Sequence, residues 1–241
     1  MTVLILLLIS AGAWFYQSQK QAMREVMIRD LSAVAQLKAD QLVSWRAERL
    51  GNAEIIISSK PLSRMIASFL AAPDDQNREF IRSRFISFRD NHRYQDVVLL
   101  DPDGRIRFTM TGRDRVLSDC CVDMFYNALA QRRPLFTHIY PDPMTDEPYL
   151  TVVAPLFPDV QSETEAMGAV LLISNAREQL FPMIQGWPLP SDTAEAYIVA
   201  RDGDEAQVLS DLRQRDQVPM GPRIPLQQTN NPAVAAVLGH Q

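Results

Sequence analysis

Between Gln17 and Leu70 the chain carries one glycine, Gly51, and one proline, Pro61. So long a stretch with so few breakers has little choice but helix. Apolar residues recur through it at helical spacing: Leu31, Val34, Leu37 or Lys38, Leu42, Trp45, Leu50, Ala53 and Ile57. The expectation is a long amphipathic helix over residues 17–72 that bends near Gly51 and restarts or kinks around Pro61. Such a stripe packs against its own domain or against a second copy of itself, and a rooted helix of that length can transmit a displacement.

Ahead of it, Met1 to Tyr16 reads MTVLILLLISAGAWFY, sixteen positions without a charge that end on aromatic residues. At about 1.5 Å per residue the run rises roughly 24 Å against about 30 Å of hydrocarbon, so it needs Gln17 to Gln19 or upstream residues to reach across. We expect a transmembrane anchor over residues 1–16, or to 19. A cleaved signal ranks below it, because no Lys or Arg precedes the apolar run, and a buried core helix ranks lower still. Lys20, Arg24 and Arg29 follow the run, which by the positive-inside rule leaves the body in the cytoplasm. A true start further upstream, carrying basic residues, removes that conflict.

With 46% hydrophobic and 22% charged residues in 241, the chain can bury a core. The 24 Lys and Arg against 29 Asp and Glu give a net charge of -5, which disfavours a nucleic-acid partner. Two adjacent cysteines, Cys120 and Cys121, with His92, His138 and His240, make neither a disulfide framework nor a cysteine zinc site. No metal or cofactor is expected. For the cysteines, two helical thiols with one buried outrank a strained vicinal disulfide. The motifs G-x-S-x-G, P-loop and HExxH are missing from the sequence, so no catalytic residue is assigned and an enzyme is not expected. Asp101, Asp103, Asp202 and Asp204 read as turn residues.

Beyond a break at Ala71 to Asn77, Asp74 or Asp75 can cap a helix from Gln76 to Arg93. The period then changes. Tyr94 to Met110 reads as a hairpin around Asp101-Pro102-Asp103-Gly104, where proline presets φ and glycine supplies positive φ. Ser118 to Arg133 reads as a helix capped by Ser118 with Val122, Phe125 and Leu129 on one face. Pro134 to Phe157 reads as a second hairpin whose turn holds Pro141, Pro143, Asp146 and Glu147, and Gly168 to Asn175 as a buried strand. A further strand, Ala194 to Ala200, a turn at Asp202-Gly203-Asp204 and a strand from Ala206 to Leu209 echo the first hairpin and suggest an internal repeat, followed by a proline-rich stretch from Val218 to Pro225.

This order, with the words VVLLDPDGRI, YLTVVAPLF, GAVLLIS and QGWPLPSDTAEAYIVARDGDEAQVLSDLR, resembles the double Cache (dCache) sensor regions of bacterial receptors. The last word is similar to the segment entering the membrane-proximal half in sensor histidine kinases and diguanylate cyclases with such ectodomains. The resemblance covers residues 1 to about 215 in layout, through short motifs. It implies an α+β, PAS-like fold: a five-stranded antiparallel sheet with flanking helices over residues 73–185, and an incomplete second PAS-like unit over 186–241. It also implies a periplasmic body on a single inner-membrane span, a homodimer through the long helix, and an output module (kinase, cyclase or chemotaxis) in full-length relatives.

Charge and placement select the candidate ligand site. Arg78 to Arg115 holds nine Arg and six acids, whereas Tyr140 to Gln217 holds four Arg and fourteen acids. In PAS-like units the second strand, the following loop and helix, and the last three strands line the pocket. That layout nominates Arg107, Arg113, Tyr126, His138, Tyr140 and Tyr149. Arginine offers a fork of donors to a carboxylate, and Tyr or His a polar tip on an apolar wall. A solvated Arg or a core aromatic is the commoner role for any one of them; the set is the hypothesis. Relatives that bind amino acids place an acid near the end of the last strand, and Leu172-Ile173-Ser174-Asn175 carries none, so a small organic acid is expected over an α-amino acid. The rival expectation is a dimerisation and transmission scaffold whose pocket is filled by its own side chains.

Overall fold

The computed structural model describes residues 2–112, 114–158, 165–187, 194–211 and 221–239. A single helix, α1 (Thr2–Ser58), runs unbroken through Gly51 and yields at Ser59, and α2 (Lys60–Ala71) restarts with Pro61 in its first turn. The absent proline N–H costs nothing there, since that donor has no intrahelical acceptor. Every described side chain from Ser10 to Ala33 is exposed, and packing begins beyond it, where Lys38 Nζ donates to the Met183 carbonyl at 2.7 Å. No helix among the described residues is long and apolar enough to cross a membrane. The expected anchor over residues 1–16 is therefore not supported: the charge-free run is the opening of α1, and it is short for a bilayer before the charged residues begin.

Asp74 caps α3 (Asp75–His92), accepting from Asn77 N at 2.8 Å, and Arg93 closes the helix in the left-handed region. The first hairpin pairs β1 (Asp96–Leu100) with β2 (Ile106–Thr109). Its turn is closed by Asp101, whose Oδ1 accepts from Asp103 N at 3.1 Å and Arg105 N at 2.9 Å, while Gly104 takes φ +80. Next come α4 (Asp119–Gln131), β3 (Leu135–Phe136), β4 (Tyr140–Pro141), β5 (Pro148–Leu156) and β6 (Gly168–Asn175). The buried face of α4 is Cys121, Phe125 and Ala128, one residue off the expected Val122, Phe125 and Leu129, and Val122 is exposed.

The sheet runs β2-β1-β6-β5-β3, with β4 also pairing β5, and all five pairings among its described strands are antiparallel. The expected five positions are present, and the arm before β5 is split in two. Helices α1 to α3 cover one face, where Ala53, Ile56, Ile66, Phe69, Ile81 and Phe85 bury against Val97, Leu99, Val152, Ala154, Val170 and Leu172. On the opposite face α4 packs Cys121, Phe125 and Ala128 against Val98, Leu100, Val153, Ala169 and Leu171. Both faces of β1, β5 and β6 are covered, which is why these strands read as continuous apolar runs.

From β6 the chain enters α5 (Ala176–Gln185), capped by Asn175. A second sheet, β7 (Val199–Asp202), β8 (Glu205–Val208) and β9 (Arg223–Pro225), carries α6 (Pro232–Val237). The echoed Asp-Gly turn is a hairpin with Gly203 at φ +58, and β9 falls inside the proline-rich stretch, where no strand was expected. Leu180, Phe181 and Ile184 of α5 join Leu209 in a third core, so the two sheets share a joint.

Candidate functional site

Side chains at alternate positions of β1, β5 and β6 point to the α4 face. On that face, at the Asp96 end of the sheet, the apolar packing gives way to a buried polar cluster. Asp96 is fully buried opposite Ile173 of β6. Its Oδ1 accepts from Val97 N at 2.8 Å and Thr111 N at 3.2 Å, and its Oδ2 from Thr111 Oγ1 at 2.9 Å. Arg115, in the loop between β2 and α4, donates from Nε to Asp96 Oδ2 and from Nη1 to Asp142 Oδ1, both at 3.3 Å. Asp142 is held in the β4–β5 turn by Thr145, whose Oγ1 donates at 2.9 Å and whose backbone N donates at 3.2 Å. The Arg115 guanidinium also lies 5.8 Å from the Tyr149 ring centroid.

Beside this group, Tyr140 and Thr151 share a 2.7 Å hydroxyl contact, and Cys121 Sγ lies 3.8 Å from Thr151 Oγ1. Burial pushes the Tyr140 and Tyr149 phenols up, aided at Tyr149 by the Asp142 charge, so both remain neutral donors at physiological pH. The local charge is two carboxylates against one guanidinium. At 3.3 Å, Arg115 stretches between its acids beyond the roughly 2.7–2.9 Å of a relaxed charged pair. The arrangement can present a guanidinium fork to a carboxylate and an acid to a cation, with neutral hydroxyls to orient the rest.

Of the residues nominated from sequence, Tyr140 and Tyr149 meet here, as register partners of β4 and β5. Arg113 lies outside the described residues. Arg107 stands apart: the register passes from Leu99↔Phe108 to Leu100↔Ile106, so Arg107 is the extra residue of a bulge, exposed and 3.5 Å from Asp101. Tyr126 is exposed on α4, reaching the Asp103 carbonyl at 3.4 Å, and His138 is exposed between β3 and β4. Within the arginine-rich run, Arg82, Arg89, Arg105, Arg107 and Arg115 each sit on an acid.

Sequence reasoning missed Asp96, Arg115 and Asp142. The end of β6 does lack an acid, but antiparallel pairing brings Asp96 of β1 opposite Ile173 of that end. The reason for preferring an organic acid over an α-amino acid is thereby removed. The available signal was a lone acid opening an otherwise apolar strand, DVVLL.

This fold is similar to that of solved ligand-binding domains of bacterial chemoreceptors, in agreement with the fold that the dCache resemblance implies. One solved relative in fold is the ligand-binding domain of the Pseudomonas aeruginosa PAO1 amino acid chemoreceptor PctC with GABA: TM-score 0.51, 18% identity, 76% of this chain and 75% of that one. Another is Pseudomonas fluorescens CtaA with L-isoleucine: TM-score 0.52, 16% identity, 81% and 73% covered. A third is Campylobacter jejuni Tlp3 with L-norvaline: TM-score 0.51, 12% identity, 76% and 85% covered. No family model and no curated protein matches the sequence.

Proposed function

We propose that the chain is the extracytoplasmic small-molecule sensor region of a bacterial transmembrane signal-transduction receptor, and that its ligand carries a carboxylate. One observation carries the reading: Arg115, its side chain only 11% exposed, is held between the buried Asp96 and Asp142 on the sheet face under α4. A ligand carboxylate would take Arg115, with Tyr140 and Tyr149 as neutral donors, and a ligand amine would take the carboxylate that Arg115 releases. Amino acids thus join simple organic acids as candidates, in keeping with the ligands of the solved relatives. Residues 73–185 form the binding unit in this reading, 186–241 begin the membrane-proximal unit, and 17–72 are the signalling helix.

The body lies in the periplasm and works without chemical turnover. The exposed Met23, Met27, Ile28 and Leu31 of α1 supply a surface for a second copy. Binding shifts the helix pair only by favouring one of two arrangements. The scaffold reading keeps one observation in its favour, that Arg115 is already satisfied by internal acids.

A thermal-shift panel of GABA, L-isoleucine, succinate and acetate decides between them. A binder at about a hundred times its Kd adds about 2.7 kcal/mol, or roughly 5–10 °C in Tm for a chain of this size. Arg115→Gln should abolish the response while the exposed Arg107→Ala preserves it. Silence across the panel, or a response that survives Arg115→Gln, would favour the scaffold.

A further inference from the structure

At the β3 edge of the larger sheet, α1 and α4, which cover opposite faces, line a common cavity of about 360 Å³. Arg46 and Leu50 come from α1, Met124 and Gln131 from α4, and Arg133 and Phe136 from the segment that forms β3. The Arg46 guanidinium lies 5.7 Å from the Phe136 ring centroid. Arg133 is held from inside the cavity wall, its Nε and Nη2 donating to Gln131 Oε1 at 3.1 and 2.7 Å. Neither guanidinium has a carboxylate partner among the described residues, whereas Arg107, Arg115, Arg177 and Arg223 all do. Arg46 and Arg133 therefore line, beside Leu50, Met124 and Phe136, a volume at the small end of the roughly 300–1,000 Å³ range of small-molecule sites.

We propose that this cavity is a second binding site, for a small organic anion with an aromatic or branched aliphatic body. The carboxylate bridges Arg46 and Arg133, whose forks match it in geometry. The apolar body rests on Leu50, Met124 and Phe136. A bare phosphate would leave those three side chains wet, and a long acyl chain exceeds the volume. An occupant ties α1 directly to α4, the helix whose first turn covers the Arg115 cluster, so the cavity sits between the sensing face and the signalling helix.

Isothermal titration of the full chain with benzoate and 4-methylpentanoate tests this, with benzyl alcohol as the neutral match and inorganic phosphate as the compact anion. At least one carboxylate should bind about ten-fold more tightly than either control, and the double variant Arg46→Gln/Arg133→Gln should weaken it about ten-fold or more. Both side chains are exposed, so the variant should keep its circular dichroism spectrum and Tm. Arg115→Gln should leave this binding unchanged. Binding that survives the double variant, or no binding by either carboxylate at about 10 mM, overturns the proposal. Binding lost only in Arg115→Gln also overturns it, by placing the anion in the cluster under α4, and leaves the sensor reading standing.

Discussion

In the first turn of α4 the Cys121 thiol is buried beside Thr151 and Tyr140, while Cys120 is half-buried. The neighbouring Cys120 thiol, then the hydroxyls of Ser118, Tyr140 and Thr151, hold Cys121 down to about 6 against the opposing effect of burial. Cys120 is pushed up, first by its hydrogen bond to Cys121 and then by burial. A thiol lowered on folding adds stability that is fully present above its ordinary value near 9 and is lost as the pH falls through about 6. Tm should therefore rise between about pH 6 and 9, and Cys121→Ser should flatten that rise; an equal slope in the variant would refute the assignment. Which thiol is buried was not legible in the sequence, because the helix face lies one residue away from the one that maximises large apolar side chains. Tyr140 and Tyr149 were legible as polar-tipped aromatics on inward strands. Arg115 and Asp142 were not, since both lie in loops whose position depends on the elements they join.

Among the elements, caps and turns were the most readable. Asp74, Ser118 and the Asp101 turn act through atoms within four residues, so local sequence determines them. The bulge at Arg107 was invisible because it exists only against β1. Gly168 is also defined by its partner strand: it takes φ +131, and a Cβ there would meet the Leu100 carbonyl oxygen at 2.0 Å. Gly168→Ala should cost at least about 2 kcal/mol, from strain and displacement of β1 together, read as a lowered urea midpoint. Gly203→Ala is the control, because its turn is open and no atom lies within 4 Å, leaving only the backbone penalty.

Across the whole molecule, Arg177 at the start of α5 joins the two sheets. Its Nη1 donates to both Glu147 oxygens at 2.8 and 2.9 Å, and its Nε and Nη2 to Asp211 at 2.8 and 3.1 Å. The hydrogen bond to Asp211 is the main reason the guanidinium binds its proton even more tightly than usual. Glu147 shares the β4–β5 turn with Asp142, so this bridge connects the Arg115 cluster to the end of β8. Arg177→Ala should loosen the second sheet by about 1 kcal/mol, since the apolar joint of Leu180, Phe181, Ile184 and Leu209 remains. Faster hydrogen exchange in Glu205–Val208 with β5 and β6 unchanged is the expected result. Equal exchange throughout would show that the apolar joint alone holds the sheets.

The amino-acid order alone determined the long helix, its restart at Pro61, the two hairpins with their Asp-Gly turns and the buried final strand. Each follows from spacing and from residues that act on their own backbone. Only the tertiary structure decided where charge is buried. The partners of Arg115 lie 19 residues before it and 27 after it, and strand register, with the loop between β2 and α4, brings the three together. Nothing in local sequence encodes that distance, because it depends on how the sheet closes over its own ends.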